Sequence, residues 1–222
     1  MKKTVVAFLL ILSMSVAIGG PKVVYYVHTG TSIPMAPTFF KDAYTQGFNV
    51  GAMVGMRFNP RFEVQGAFDL NNCAFDNQGF EGTLDEVKTW REANANKEPT
   101  FSVDGNGANA WSLYLNAKLI FPPNEGGKVE SYFFAGGGLF GMKKGEIAIT
   151  DAETDAMQVF ENHQKTIPSK SETVIGANFG IGIDILLEEH TNFYIQVGPT
   201  LGFTKGDPTV IIPITFGVSI RP

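Results

Sequence analysis

The stretch GFNVGAMVGMRF, residues 47–58, alternates between two faces along its whole length. Every second residue from Phe48 onward is apolar, whereas most of the residues between them are glycine or polar. Alternation with a period of two predicts a β-strand whose two faces meet different surroundings. The small residues of the polar face suit the crowded bore of a narrow barrel, and the continuous apolar face suits lipid. The stretch therefore predicts one strand of a membrane-spanning barrel.

Seven further segments resemble this one, so the chain predicts eight strands. Five of them have clear faces and cover residues 62–75, 110–121, 173–187, 192–203 and 212–221. Two others, 22–33 and 129–143, are strand-like, but the sequence leaves open which of their faces points inward. Pro199 and Pro213 lie within the last two strands, where each removes a hydrogen-bond donor. Either a β-bulge lies nearby or one of these strands is shorter than predicted.

The connections between the strands alternate between long and short, apart from a brief last one. Outer-membrane barrels have long external loops and short periplasmic turns, and strands in lipid must close into a ring. Capping patterns that begin at Thr83 and Thr150 predict helices over residues 84–94 and 151–164. The predicted fold is all-β: an eight-stranded antiparallel up-and-down transmembrane β-barrel with short helices in two long external loops.

The first segment has the features of an export signal. Lys2 and Lys3 precede an apolar run, and the small residues Ala17 and Gly19 fit a cleavage site. We expect a signal peptide over residues 1–19 and a barrel domain over 20–222. A membrane helix is the alternative, but the uninterrupted apolar run is short for one.

Composition argues against several classes of function. The net charge of −5 argues against a nucleic-acid partner. The single Cys73 excludes an internal disulfide and a multi-cysteine zinc site, and we expect it to be a buried, inert thiol. His28, His163 and His190 fall in a strand, an external loop and a periplasmic turn, and His28 is expected to be a bore residue. The sequence predicts no enzyme, no catalytic residue, no metal and no cofactor.

Three stretches carry a resemblance to a known family: residues 47–64, the segment YFFAGGGL at 132–139 and the segment TFGVSI at 215–220. They resemble the small outer membrane protein β-barrel domain family, the OmpA/OmpX-type eight-stranded barrels. The resemblance implies a porin-like membrane protein of the bacterial outer membrane, in contact with its lipid. The segment at 215–220 is similar to the signal that the barrel assembly machinery reads during insertion.

Five charged residues are predicted to point into the bore near its periplasmic end, because each lies beside a short turn or a terminus. They are Arg57, Glu63, Lys118, Asp184 and Arg221. We hypothesise that they form a charge-paired network that plugs the bore. The alternative is a set of independently hydrated charges at a wide mouth.

These predictions suggest an envelope structural or surface-interaction role with a closed, polar bore. The loops at 77–108 and 145–171 are the candidate contact surface for a partner outside the cell. The alternative is a narrow porin-like channel for small solutes. A soluble lipocalin-like binder is a third class, but it would expose phenylalanine, isoleucine and valine on several adjacent strands to water.

Overall fold

A closed ring of antiparallel strands forms the body of the protein. The computed structural model describes residues 21–94, 101–123, 126–151, 160 and 164–221. The predicted signal peptide lies outside these residues. The strands are β1 (Lys22–Ala36), β2 (Tyr44–Thr45), β3 (Gly47–Asn59), β4 (Phe62–Phe75), β5 (Phe101–Gly105), β6 (Ala108–Phe121), β7 (Val129–Lys144), β8 (Ile147–Asp151), β9 (Gln164–Ile167), β10 (Lys170–Leu186), β11 (Thr191–Val197), β12 (Thr200–Gly202) and β13 (Thr209–Ile220).

Eight strand positions form the wall of the barrel, and we call each of them a stave. In chain order the staves are β1, β3, β4, β6, β7, β10, the pair β11 and β12 counted as one, and β13. The ring closes because β1 pairs with β3 on one side and with β13 on the other, so that Tyr25 lies opposite both Val54 and Ile220. Closure leaves no stave with an unpaired edge, as a strand in lipid requires. The predicted eight-stranded barrel is confirmed. The seventh stave is interrupted at Pro199, where β11 ends before β12 begins.

The alternation of the sequence becomes an inside and an outside. Many large apolar side chains of the staves are exposed, such as Phe68, Leu115 and Ile181. They lie on the outer surface, as the sequence predicted. The structure also decides the two undecided segments. Tyr26 and His28 of β1 and Tyr132 of β7 are buried and point inward.

The connections β3–β4, β6–β7 and β10–β11 and the two ends of the described chain, Pro21 and Arg221, lie at one end of the barrel, the turn end. The long connections and the brief one between β12 and β13 lie at the other end, the loop end. Three short helices lie in the long connections: α1 (Thr38–Ala43), α2 (Asn77–Glu81) and α3 (Asp85–Ala93). The predicted helix over 84–94 is therefore confirmed, although its capping box does not form. The Thr83 hydroxyl donates to the carbonyl of Phe80 instead. Within the described residues, the helices are all too short to cross a membrane.

The predicted helix over 151–164 is wrong at both ends. Asp151 ends β8 and Gln164 begins β9, and most of the residues between them lie outside the described part of the chain. β8 pairs with β9 and also with β5, which belongs to the preceding long loop. At these two residues, pairing between strands takes the place of the predicted helix. The result is a three-stranded sheet that joins the two longest loops at the loop end.

Candidate functional site

The bore contains an ion-pair network at its turn end. The Nζ of Lys118 lies 2.9 Å from Oδ2 of Asp184, and the two side chains are 1% and 0% exposed. The Lys118 ammonium also lies 3.7 Å from the centre of the Tyr132 ring. This pair is therefore held by hydrogen bonding and by a cation–π contact in a place that water does not reach.

Two arginines meet on one carboxylate beside this pair. Both terminal nitrogens of Arg57 donate to Glu130, over 3.1 and 3.2 Å. Arg221 donates to the same carboxylate over 3.0 Å and lies 3.7 Å from Asp184. Bidentate arginine–carboxylate pairs are among the stronger charged contacts. Glu130 was absent from the predicted network because the sequence left the faces of residues 129–143 undecided.

Glu63 joins the network through a tyrosine. It accepts hydrogen bonds from the Tyr26 hydroxyl over 2.7 Å and from the Gln65 amide over 2.8 Å. Lys118 donates to the same tyrosine hydroxyl over 3.4 Å. With Glu130 added, the five predicted residues form a set of three cations and three anions, so their formal charges cancel (3 − 3 = 0).

The middle of the bore holds a second polar chain. His28 Nε2 lies 2.7 Å from Oδ1 of Asp69, and Nδ1 lies 2.9 Å from the Tyr194 hydroxyl. The His28 side chain is buried, which agrees with its prediction as a bore residue. In the described ranges no group of three or more histidine, cysteine, aspartate or glutamate side chains is arranged to hold a metal ion.

A hydrophobic cluster that the sequence did not predict lies at the loop end of the bore. Phe140 and Ile211 contribute from the inner wall of the barrel, and Phe40, Phe80 and Ile149 contribute from the long loops. Cys73 is a buried free thiol in the same cluster, as expected. We call the part outside the barrel the dome: α1, α2, α3, β2 and the sheet of β5, β8 and β9. No sequence pattern predicts such a cluster, because its members are spread over more than 150 residues.

The arrangement thus consists of a lipid-facing ring, a bore with paired charges at its turn end and a hydrophobic cluster at its loop end, and a folded dome. Comparison with known families agrees with it: residues 4–211 match the outer membrane protein beta-barrel domain family. The chain belongs to this family. It is a non-enzymatic β-barrel protein of the bacterial outer membrane, so the turn end faces the periplasm and the loop end faces outward.

Several solved structures are similar to the chain at low sequence identity. The N-terminal barrel of OprF from Pseudomonas aeruginosa is 13% identical, with 91% of this chain and 98% of that chain covered at a TM-score of 0.47. Ail, the attachment invasion locus protein of Yersinia pestis, is 15% identical, with 91% and 99% covered at 0.46. Neisserial surface protein A is 11% identical, with 90% and 97% covered at 0.47. No curated protein sequence matches the chain.

Proposed function

We propose that this outer-membrane barrel is a non-conducting scaffold that presents its dome to a partner outside the cell. The observation that carries the proposal is the joining of the two longest loops. Val103 of β5 lies opposite Ile149 of β8, and Ile147 lies opposite Ile167 of β9. A surface that is ordered before it binds loses less conformational entropy on association.

The outer surface of the dome is polar. In its described part no large hydrophobic side chain is exposed, whereas the staves expose many. The loop at 77–108 carries six acidic and three basic residues, and the loop at 145–171 carries five and two, so each has a net charge of −3. Complementary charge steers association and selects partners, which supports a polar, basic partner over an apolar one.

The paired charges at the turn end of the bore and the hydrophobic cluster at its loop end support a scaffold over a channel. Single-channel recording in planar bilayers tests this part: the refolded chain is expected to give no conductance steps of porin size. A porin refolded in the same way is the positive control. Stable steps of porin size from the full chain would overturn the closed bore and favour the narrow channel.

The surface role is tested by photo-cross-linking in intact cells. A cross-linking amino acid at Glu92, which is exposed on α3, is expected to form a discrete adduct with a partner on the cell surface. The same substitution at the exposed Glu188, in a periplasmic turn, is the matched control. Absence of any adduct that is specific to position 92, and to a second exposed dome position such as Asp104, contradicts the surface role.

We infer in addition that residues 1–19 act as a signal peptide and that residues 20–222 form the mature protein. The support is the basic and apolar sequence before Gly20. N-terminal sequencing of the protein from outer membranes is expected to begin at Gly20. A mature chain that still begins at Met1 contradicts this inference.

A further inference from the structure

One charged residue of the staves lies on the outer face of the barrel, whereas the other charged residues lie on the inner face. The eight staves all lie in the described residues. Every charged residue in them but one lies on the face of its strand that points into the bore. The exception is Lys143, near the external end of β7, on the same face as Leu139 and Phe133. A cation is costly on a lipid-facing surface at the middle of the bilayer but is tolerated near an interface, so Lys143, near the external end of its strand, is expected at the level of the lipid headgroups.

Lys143 lies in a row of polar side chains on the outer surface. The row crosses four neighbouring staves, because Asn72 pairs with Asn109, Asn109 pairs with Lys143 and Lys143 pairs with Ser171. The Asn72 amide donates to Asn109 over 2.9 Å. The row offers amide, hydroxyl and ammonium donors and contains no carboxylate. Glu172, the nearest acidic residue on β10, lies on the face of its strand that points into the bore.

An apolar row lies directly below it, toward the membrane. Val50 pairs with Leu70, Leu70 pairs with Trp111 and Trp111 pairs with Gly141. The indole of Trp111 lies across Gly141, since a Cβ built there would be 2.1 Å from the indole Nε1. Phe48 and the side chains of the two rows line an open groove of about 420 Å³, to which Gly141 does not contribute.

We propose that this groove binds a phosphate-bearing lipid of the outer leaflet. The phosphate accepts hydrogen bonds from Lys143 and its polar neighbours, and the acyl chains lie on Leu70, Val50 and Trp111. Lysine binds phosphate as a point charge, and tryptophan prefers the boundary between headgroups and hydrocarbon. Charge complementarity selects this occupant over a zwitterionic lipid, because the row has a cation and lacks an anion.

Trp111 supplies the reporter for a test. The chain has two tryptophans, so a Trp90→Phe variant leaves Trp111 as the single tryptophan, whose fluorescence is excited selectively. The full chain is refolded into phosphatidylcholine nanodiscs that contain a minor fraction of phosphatidic acid with brominated acyl chains, or the same fraction of brominated phosphatidylcholine. We expect stronger quenching by phosphatidic acid, equivalent to about fivefold enrichment at the groove, the factor that one lysine near a charged headgroup provides.

Substitutions of Lys143 test whether this lysine causes the excess quenching. Lys143→Gln is expected to abolish the excess quenching, and Lys143→Arg is expected to keep it. Lys170→Gln is the matched control. Lys170 is an exposed lysine on the neighbouring stave, but it lies on the face of the strand that points into the bore. Each variant is first shown to have the heat-modifiable gel mobility of a closed barrel. Equal quenching by the two brominated lipids, or an excess that survives Lys143→Gln, overturns the proposal.

Discussion

Lys118 is a buried cation in the bore that contacts Asp184, Tyr26 and the ring of Tyr132. Lys118→Met removes the cation and leaves the Asp184 carboxylate buried without its closest partner. We expect a loss of about 3–5 kcal/mol in the free energy of unfolding, measured by urea titration of the barrel refolded in vesicles. The double variant Lys118→Met, Asp184→Asn is the control and is expected to recover most of the loss. An unchanged urea midpoint for Lys118→Met would contradict a paired network.

Gly182 makes room for the tyrosine on which Lys118 stacks. A Cβ at position 182 would lie 2.3 Å from the Tyr132 ring, which faces it from the neighbouring stave. Gly182→Val is therefore expected to displace the ring and to destabilise the barrel by about 1–3 kcal/mol in the same titration. Gly66→Val is the matched control, because nothing lies within 4 Å of its Cβ position on the outer surface. Equal effects of the two substitutions argue against a packing role for Gly182.

Among the helices, α2 anchors the dome through one side chain. Phe80 is fully buried and lies against Phe39 and Phe75, with ring centres 6.0 and 5.3 Å away. Phe80→Ala is expected to cost about 3–5 kcal/mol of local stability. Limited proteolysis of intact cells should then cut within residues 76–107, while the barrel keeps its heat-modifiable mobility. Glu92→Ala, at an exposed position on α3, is the control, and equal resistance of the two variants contradicts the anchor.

A charged contact joins α3 to β9 across the two loops. Lys165 donates a hydrogen bond to Glu86, which lowers the pKa of that carboxyl from its ordinary value. A lowered pKa in the folded state means that the contact stabilises the dome above the ordinary carboxyl pKa and is lost as the pH falls through the lowered value. NMR titration should show the pKa of Glu86 rising in Lys165→Gln. Lys88→Gln removes a cation that is paired with Asp85. The pKa of Glu86 should remain lower in this variant than in Lys165→Gln. The same pKa in both variants rules out this contact as the cause.

Sequence patterns predicted the elements unequally. The period-two alternation of β3 and β6 is long and identifies both strands, and the start of α3 agrees with its capping pattern to within one residue. β5 and β8 have only five residues each, too few for a clear period, and each gains its partner from the other loop. Their pairing joins residues more than 40 positions apart, which local patterns do not encode.

Closure of the ring is a property of the whole molecule. β13 pairs with β1 as well as with β11 and β12, so it completes the ring. A chain truncated after residue 208 would leave two staves with unpaired backbone groups in lipid, and it is expected to lose heat-modifiable mobility and membrane insertion. A deletion of residues 84–94, within the dome, is the control and should retain both properties. A truncated chain that still inserts as a compact species would contradict closure as the condition for stability.

The sequence by itself determined the number of staves and the lipid-facing side of six of them. It also placed five charged residues on the face opposite the apolar one: Arg57, Glu63, Lys118, Asp184 and Arg221. Side-chain direction in a strand is a local property, set by the pleat and visible as alternation. Only the tertiary structure decided that Glu130 receives both arginines, that Tyr26 links Glu63 to Lys118 and that the two long loops share one sheet and one hydrophobic cluster. Such contacts join residues far apart in the chain, and they depend on the register around the closed ring, which no single strand contains.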